Sequence, residues 1–170
     1  MTNIRKIDIS DSQNIVRWRN IDRVRLNLLN SDKITIEQQL QYYEKYIASN
    51  LIHQFIIFYD GKDCGTTFLK NIDFDLKTAE FGIFIGEEWA LGKGVSFEAT
   101  KKTLVYGFDK LKLDSIYLHV FPNNLPALSL YKKIGFLHPL SVDLSTKSGD
   151  KKSAIKMTIN RESLVNRIVK

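Results

Sequence analysis

Residues 124–136, NLPALSLYKKIGF, carry the clearest signal for the fold of this chain. Pro126 suits the first turn of a helix, because the amide hydrogen that proline lacks would have no partner there. Apolar side chains then recur at helical spacing, and Gly135 is typical of a helix end. The apolar face consists of Ala127, Leu130, Tyr131 and Ile134. The stretch therefore predicts a short helix directly after a strand at 115–121.

A second informative segment, residues 91–96 (LGKGVS), lies between a predicted strand and a long predicted helix. Glycines let the backbone approach a ligand closely, and free amide groups at a helix start attract anions such as a pyrophosphate. The spacing does not fit a Walker A loop, because five residues separate Gly86 from Gly92 and Gly94 occupies the position of the hydroxyl residue. Taken alone, a plain glycine-rich turn explains the segment equally well.

Hydrophobic periodicity along the rest of the chain predicts a mixed sheet with helices on its faces, in one domain spanning residues 1–170. The predicted order is α-α-β-β-β-α-β-α-β-β. Helices are expected to begin at Ser10 or Asp11, at Thr35 and after Ser96, and a short one follows Asn160; strands are expected at 54–59, 66–69, 79–85, 115–121, 142–146 and 154–159.

Composition narrows the functional classes. The 170 residues carry a net charge of +6, which suits an acidic partner but lacks the long basic run of a nucleic-acid-binding arm. A single cysteine, Cys64, excludes an internal disulfide, and the three histidines lack metal-ligand spacing. No apolar run approaches the roughly 18 residues of a membrane span, and we see no export signal. We therefore expect a cytoplasmic protein, monomeric or homodimeric, without a metal or a nucleic-acid or membrane partner.

Together, the two segments resemble the signatures of the GNAT superfamily of acetyl-CoA-dependent N-acetyltransferases. In the first, Asn124, Ala127, Leu130-Tyr131 and Gly135-Phe136 fill all the signature positions. The resemblance implies a single-domain α/β (α+β) fold with a mixed, mostly antiparallel sheet. It also implies that two central strands splay apart to hold acetyl-CoA.

The second segment aligns with the family's Gln/Arg-x-x-Gly-x-Gly/Ala loop. Gly94 matches, whereas Leu91 and Ser96 depart, and the departure at Leu91 removes a side chain that usually helps to hold the pyrophosphate. The resemblance further implies that backbone amides near Gly82 and Ile83 meet the thioester carbonyl. The residues expected to bind the cofactor are Gly82, Ile83, Leu91, Gly92, Lys93, Gly94, Val95, Ser96, Asn124, Ala127 and Tyr131.

Acetyl transfer to an amine requires a group that protonates the departing thiolate, and the resemblance assigns this role to Tyr131. A phenol with a pKa of ~10 can protonate a thiolate whose conjugate acid has a pKa of ~8.5. Without the motif, Tyr131 is explained better as a core aromatic residue.

The reaction also requires a base, because an alkylamine with a pKa of ~10.4 is mostly protonated at neutral pH. His119 is the first candidate, since it shares a strand face with Tyr117 and Phe121 and stands where several family members carry a glutamate. A structural role explains this histidine equally well. Glu80, on the other splayed strand, and an ordered water molecule are the alternatives.

The first predicted helix carries the candidates for acceptor recognition. Arg19 and Arg23 are four residues apart, so like charges share one helix face, and a phosphate would relieve their repulsion. Arg19-Asn20 and Val24-Arg25 of this helix, together with His53, resemble the branch that acetylates nucleotide-linked 4-amino-4,6-dideoxy sugars in pseudaminic acid biosynthesis. Protein N-termini, polyamines and aminoglycosides are alternative acceptors. A CoA-binding module without activity is the non-enzyme alternative.

Overall fold

Seven strands form one sheet in the computed structural model, which describes residues 1–168. All neighbouring strands are antiparallel except β4 and β5, which run parallel. The mixed, mostly antiparallel sheet predicted from the sequence is therefore present. The strands are β1 (Thr2–Lys6), β2 (His53–Tyr59), β3 (Lys62–Asp73), β4 (Thr78–Ile85), β5 (Ser115–Val120), β6 (Leu137–Ser145) and β7 (Lys151–Asn160), in the order β1-β2-β3-β4-β5-β7-β6.

Strand β1 is a correction, because the sequence analysis placed no strand before the first helix. It pairs with β2 from Thr2 opposite Tyr59 to Lys6 opposite Phe55. Its five residues are mainly polar and lie at the sheet edge, so they show neither a buried run nor clear alternation. Strands β3 and β6 also begin earlier than predicted, at Lys62 and Leu137.

The helices lie where periodicity predicted them, although the first is broken and its cap differs. Asp11 makes no side-chain cap bond to α1; its carboxylate instead accepts two hydrogen bonds from Arg5. The predicted box of Thr35 and Gln38 does cap α3. The helices are α1 (Ser12–Arg19), α2 (Asp22–Arg25), α3 (Ile36–Tyr42, followed by a π-helical turn at Tyr43–Ile47), α4 (Val95–Asp109), α5 (Leu125–Ile134) and α6 (Arg161–Ile168).

The two faces of the sheet bury different hydrophobic clusters. Phe81 of β4 and Ile116 of β5 pack with the buried faces of α4, α5 and α6. Phe84, of opposite parity on β4, packs with the cluster that contains Trp18 of α1 and Ile56 of β2. None of the helices formed by residues 1–168 has the length and apolar character needed to cross a membrane.

The feature that positions the site is the short contact between β4 and β5. Their residues pair only from Thr78 opposite Ser115 to Glu80 opposite Tyr117. Beyond Glu80, no pairing joins the two strands among the described residues, and a cleft opens between them. The splay predicted between residues 81–85 and 116–120 is therefore confirmed.

Candidate active site

The splay opens a cleft of about 1060 Å³ at the centre of the molecule. Its walls come from both splayed strands, the glycine loop before α4, the first turns of α5 and the segment after α2. The predicted site residues that line it are Arg23, Glu80, Gly82, Ile83, Leu91, Gly92, Gly94, Val95, Ser96, His119, Asn124, Ala127 and Tyr131. The fold thus collects most of the candidates from five separate parts of the chain.

The glycine loop has the backbone shape of an anion site. Gly92 and Gly94 adopt φ values of +71° and +75°, in the left-handed region that favours glycine. Gly94 is also the N-cap of α4, so the amide groups of the helix's first turn have no carbonyl partner within the helix. Apart from the immediate chain neighbours, no atom of the described residues lies within 4 Å of the position where a side chain at either glycine would begin. A phosphate group can therefore approach these amides.

Lys93 is the member of this loop that does not line the cleft. Its ammonium group lies 5.7 Å from the ring centroid of Tyr59 and 5.8 Å from that of Trp89, which is cation–π geometry. The positive charge of Lys93, a residue expected to bind the cofactor, is thus held over two aromatic rings.

Gly82 marks the point where β4 meets the cleft. A Cβ atom there would lie 2.3 Å from the ring of Phe68 on β3, so the packing requires glycine. Because β4 is unpaired on its β5 side beyond Glu80, alternate residues present their amide and carbonyl groups to the cleft. A ligand lying along this edge can hydrogen-bond to the backbone as another strand would.

Tyr131 belongs both to the core and to the cleft wall. Its side chain packs in T-shaped geometry against Phe81 and Phe136, with ring centroids 6.3 and 5.6 Å away. Burial raises the pKa of the Tyr131 hydroxyl well above its ordinary value, so the group remains protonated at neutral pH. At this position, Tyr131 can therefore be both a core aromatic residue and a proton donor, the two roles considered from the sequence.

Glu80 and His119, the two alternative bases, form a pair. The Nδ1 atom of His119 lies 3.2 Å from Oε1 of Glu80, and both side chains are largely buried. Burial alone would raise the pKa of Glu80, but the hydrogen bond from His119 and the charge of Lys70 outweigh it and lower the pKa. An ionised carboxylate accepts the Nδ1 proton, which leaves Nε2 as the unprotonated nitrogen of a neutral ring.

Arg19 and Arg25 are already bonded to other groups of the protein, and Arg25 includes the Asp22 carboxylate among its partners, at 2.8 Å. Arg19 donates to the carbonyl oxygens of Asn30 and Asp32, at 2.7 and 2.9 Å. Arg25 donates to the carbonyl of Ser31 at 3.0 Å, and neither residue lines the cleft. Both arginines therefore hold the segment between α2 and α3, which contributes Leu28 and Leu29 to the cleft wall.

Arg23 does reach the cleft, at the end of β4. Its terminal nitrogens donate to the carbonyl oxygens of Ile85 and Gly86, at 2.9 and 3.0 Å. His53 lies outside the cleft and is hydrogen-bonded to the hydroxyl of Tyr106 at 2.9 Å. Burial, with the charge of Lys6, lowers the pKa of His53. The four residues predicted to contact the acceptor are thus not gathered at one place.

The sequence analysis missed two residues next to the Glu80–His119 pair. Lys70 and Asn71, at the end of β3, both contact the Glu80 carboxylate. An asparagine in a strand is uncommon, and that was the available signal. It did not reveal which side chain the asparagine would reach.

Comparison with known proteins places the chain among acetyltransferases. Spermidine N(1)-acetyltransferase of Escherichia coli K12 is 32% identical over 123 residues, which are 69% of this chain and 63% of that protein. The chain thus aligns with less than two thirds of that relative's length. Acetyltransferase PseH of Campylobacter jejuni strain 81-176 is 25% identical over 136 residues, which are 80% of this chain and 83% of the relative.

The fold has a close counterpart among solved structures. The spermidine N-acetyltransferase of Vibrio cholerae, solved in complex with CoA and spermine, superposes with a TM-score of 0.86. The match covers 97% of this chain and 98% of that one at 24% identity, and it confirms the predicted fold. Residues 2–137 match the family described as the acetyltransferase (GNAT) domain. The chain belongs to the GNAT acetyltransferase family.

Proposed function

We propose that this protein transfers the acetyl group of acetyl-CoA to a primary amine in the cleft between β4 and β5. The observation that carries the proposal is that one cleft holds four features: an anion-binding loop, an unpaired strand edge, the hydrogen-bonded Glu80–His119 pair and a buried phenol. Family membership and the CoA complex of the Vibrio cholerae neighbour support the same cofactor.

The cofactor is proposed to lie along the edge of β4. Its pyrophosphate meets the amide groups of Gly92 and Gly94 and the first turn of α4, where the helix dipole favours negative charge. Asn124 supports this wall indirectly, because its side chain caps α5 by accepting a hydrogen bond from the amide of Ala127. The residues present thus fit an acetyl-CoA molecule whose thioester reaches Gly82.

The chemistry follows from the groups around that point. The neutral amine attacks the thioester carbonyl carbon, and the amides near Gly82 and Ile83 stabilise the oxyanion that forms. The Nε2 atom of His119 accepts the proton that the amine nitrogen loses. When the carbon–sulfur bond breaks, the hydroxyl of Tyr131 protonates the departing thiolate.

For the acceptor, we propose an amine carried by a nucleotide-linked sugar. Among the described residues that line the cleft, Glu80 is the one carboxylate, and it is already paired. Arg23 and Lys70 add positive charge to the same walls, which suits an acceptor with phosphate groups. The relative PseH supports this branch through the longer of the two alignments described above.

A polyamine such as spermidine is the second candidate. The Escherichia coli relative, at 32% identity, favours it, and so does the bound spermine of the Vibrio cholerae neighbour. A polyamine carries several positive charges and needs carboxylates around its length. The charge of the described cleft residues is the observation that separates the two candidates.

Replacing Gly94 tests the cofactor site. Aspartate and asparagine have nearly the same shape, and both tolerate a left-handed backbone, so Gly94→Asp and Gly94→Asn differ in charge alone. We expect Gly94→Asp to bind acetyl-CoA about tenfold or more weakly than Gly94→Asn, because its carboxylate repels the pyrophosphate. Calorimetry measures both affinities, and equal values in the two folded variants would refute the location of the phosphate site.

Tyr131→Phe tests the proposed acid. The substitution keeps the ring contacts with Phe81 and Phe136 but removes the proton donor, and a positioned acid contributes about 10²–10⁴-fold. We expect kcat to fall by about 10² or more while the affinity for acetyl-CoA stays the same. An unchanged kcat, under conditions where acetyl transfer limits the rate, would make Tyr131 a packing residue.

His119→Gln tests the proposed base. Activity should fall on the acidic side of the pH–rate profile of the unmodified protein, because a protonated imidazole cannot accept a proton. In the variant, we expect kcat/KM to drop by about 10² or more and this acidic limb to vanish. If the limb persists at the same pH, the base is another group.

A panel of acceptors tests the substrate class. UDP- and dTDP-linked amino sugars, spermidine, an aminoglycoside and an N-terminal peptide are compared at equal concentration with acetyl-CoA. We expect the nucleotide-linked amino sugars to react fastest. Preferential acetylation of spermidine would overturn the sugar proposal and leave the acetyltransferase in place. Binding of acetyl-CoA without turnover of any acceptor would favour a CoA-binding module.

A further inference from the structure

Asn71 has an unusual backbone conformation beside the proposed base. Its φ is +49°, in the left-handed region that few residues other than glycine adopt. The register of β3 with β4 is interrupted between Lys70 and Asp73, which flank it. Residues held in such conformations carry a conformational cost that the surrounding structure must offset.

The interruption lets two consecutive residues reach one carboxylate. In a regular strand, Lys70 and Asn71 would point to opposite faces of the sheet. Here the Nζ atom of Lys70 lies 3.6 Å from Oε1 of Glu80, and the Nδ2 atom of Asn71 donates to Oε2 at 2.7 Å. A strand irregularity re-aims a side chain in this way. Both oxygens of Glu80 are thus engaged, with His119 on Oε1.

We propose that Asn71 is a positioning residue for the base, His119. This proposal rests on the proposed function. Its amide hydrogen holds the Glu80 carboxylate ionised and in the orientation that keeps the proton of His119 on Nδ1. Nε2 of His119 then remains free for the acceptor amine.

The chemistry of the three groups supports this series of contacts from Asn71 through Glu80 to His119. An amide N–H stabilises a carboxylate that accepts from it, and the side chain of Glu80 is only 14% exposed, although Asn71 itself lies at the surface. Loss of the contact leaves Oε2 without its protein partner. The carboxylate is then less well held, and Nδ1 and Nε2 of His119 compete more evenly for the proton.

Three other ionisable groups lie around the contacts of Asn71, Glu80 and His119. Lys70 faces Glu80 from β3, and Tyr117 lies beside His119 on β5 with ring centroids 5.6 Å apart. Lys156 of β7 stands opposite His119 in register, and its Nζ lies 4.3 Å from the ring centroid of Tyr117. Asn71 is the neutral donor among them, so its removal changes no charge.

Asn71→Gly is the decisive variant. Glycine adopts the left-handed backbone freely, so the substitution removes the donor without adding strain. Asn50→Gly is the matched control, because Asn50 also has a positive φ, of 59°, but does not line the cleft. Asn71→Ala also removes the donor without changing the charge, although alanine tolerates the left-handed backbone less well than glycine, and it serves as the second variant if Asn71→Gly does not fold.

The first measurement does not depend on catalytic activity: it determines which nitrogen of His119 carries the proton. Nitrogen-15 NMR of the neutral ring, above its titration range, reports which nitrogen carries the proton. Absence of the signal in His119→Gln assigns the resonance among the three histidines. We expect the Nδ1–H form to dominate in the unmodified protein and in Asn50→Gly, and to lose population in Asn71→Gly and Asn71→Ala.

Kinetics supply the second readout. We expect kcat of Asn71→Gly to fall about tenfold, within the range for a hydrogen bond to a charged group, while the KM for acetyl-CoA stays within about twofold.

The outcomes separate the two proposals. An unchanged tautomer population in folded Asn71→Gly or Asn71→Ala would overturn the positioning role of Asn71, whatever the activity. A shifted tautomer in a protein that acetylates no amine would uphold the contact and refute the proposed function. A shifted tautomer with an unchanged kcat would show that Asn71 orients the histidine without serving the reaction, which also overturns the proposal.

Discussion

The structure depends on how far two parallel strands stay together. Strands β4 and β5 pair only from Thr78 to Glu80, and the paired side chains of Glu80 and His119 lie at or beyond the place where pairing ends. A longer ladder would satisfy the backbone of residues 81–85 internally and close the cleft. A shorter one would remove Glu80 from its contact with His119. The extent of this pairing therefore sets both the space for a ligand and the position of the paired side chains.

Much of this arrangement could be predicted because it is encoded locally. Pro126, Tyr131 and Gly135 mark a helix and one of its faces within a few residues, and Gly92 and Gly94 signal a left-handed loop. Such signals depend on backbone conformation and periodicity, which a single sequence displays directly. The two-strand splay came from the resemblance of these local segments to a family.

Long-range partners could not be predicted in the same way. The sequence shows Arg19 and Arg23 as like charges on one helix face. In the structure, Arg19, like Arg25, instead donates to backbone carbonyls of a segment that has little regular structure of its own. Such carbonyls need donors wherever they are shielded from water, and the sequence does not show which cations supply them. The contact of Asn71 with Glu80 depends likewise on a break in strand register, which has no reliable sequence signature.

The proposed proton acceptor and the proposed proton donor lie on opposite faces of the sheet. Glu80 and His119 lie on the face opposite the cluster that buries Tyr131. In the proposed reaction, each turnover leaves one extra proton on the first face and a phenolate on the second. Restoring the starting state then requires two proton exchanges with solvent, one for each group, although both groups line the same cleft. Because burial makes the phenolate of Tyr131 strongly basic, recovery of its proton is the thermodynamically favoured half of this reset.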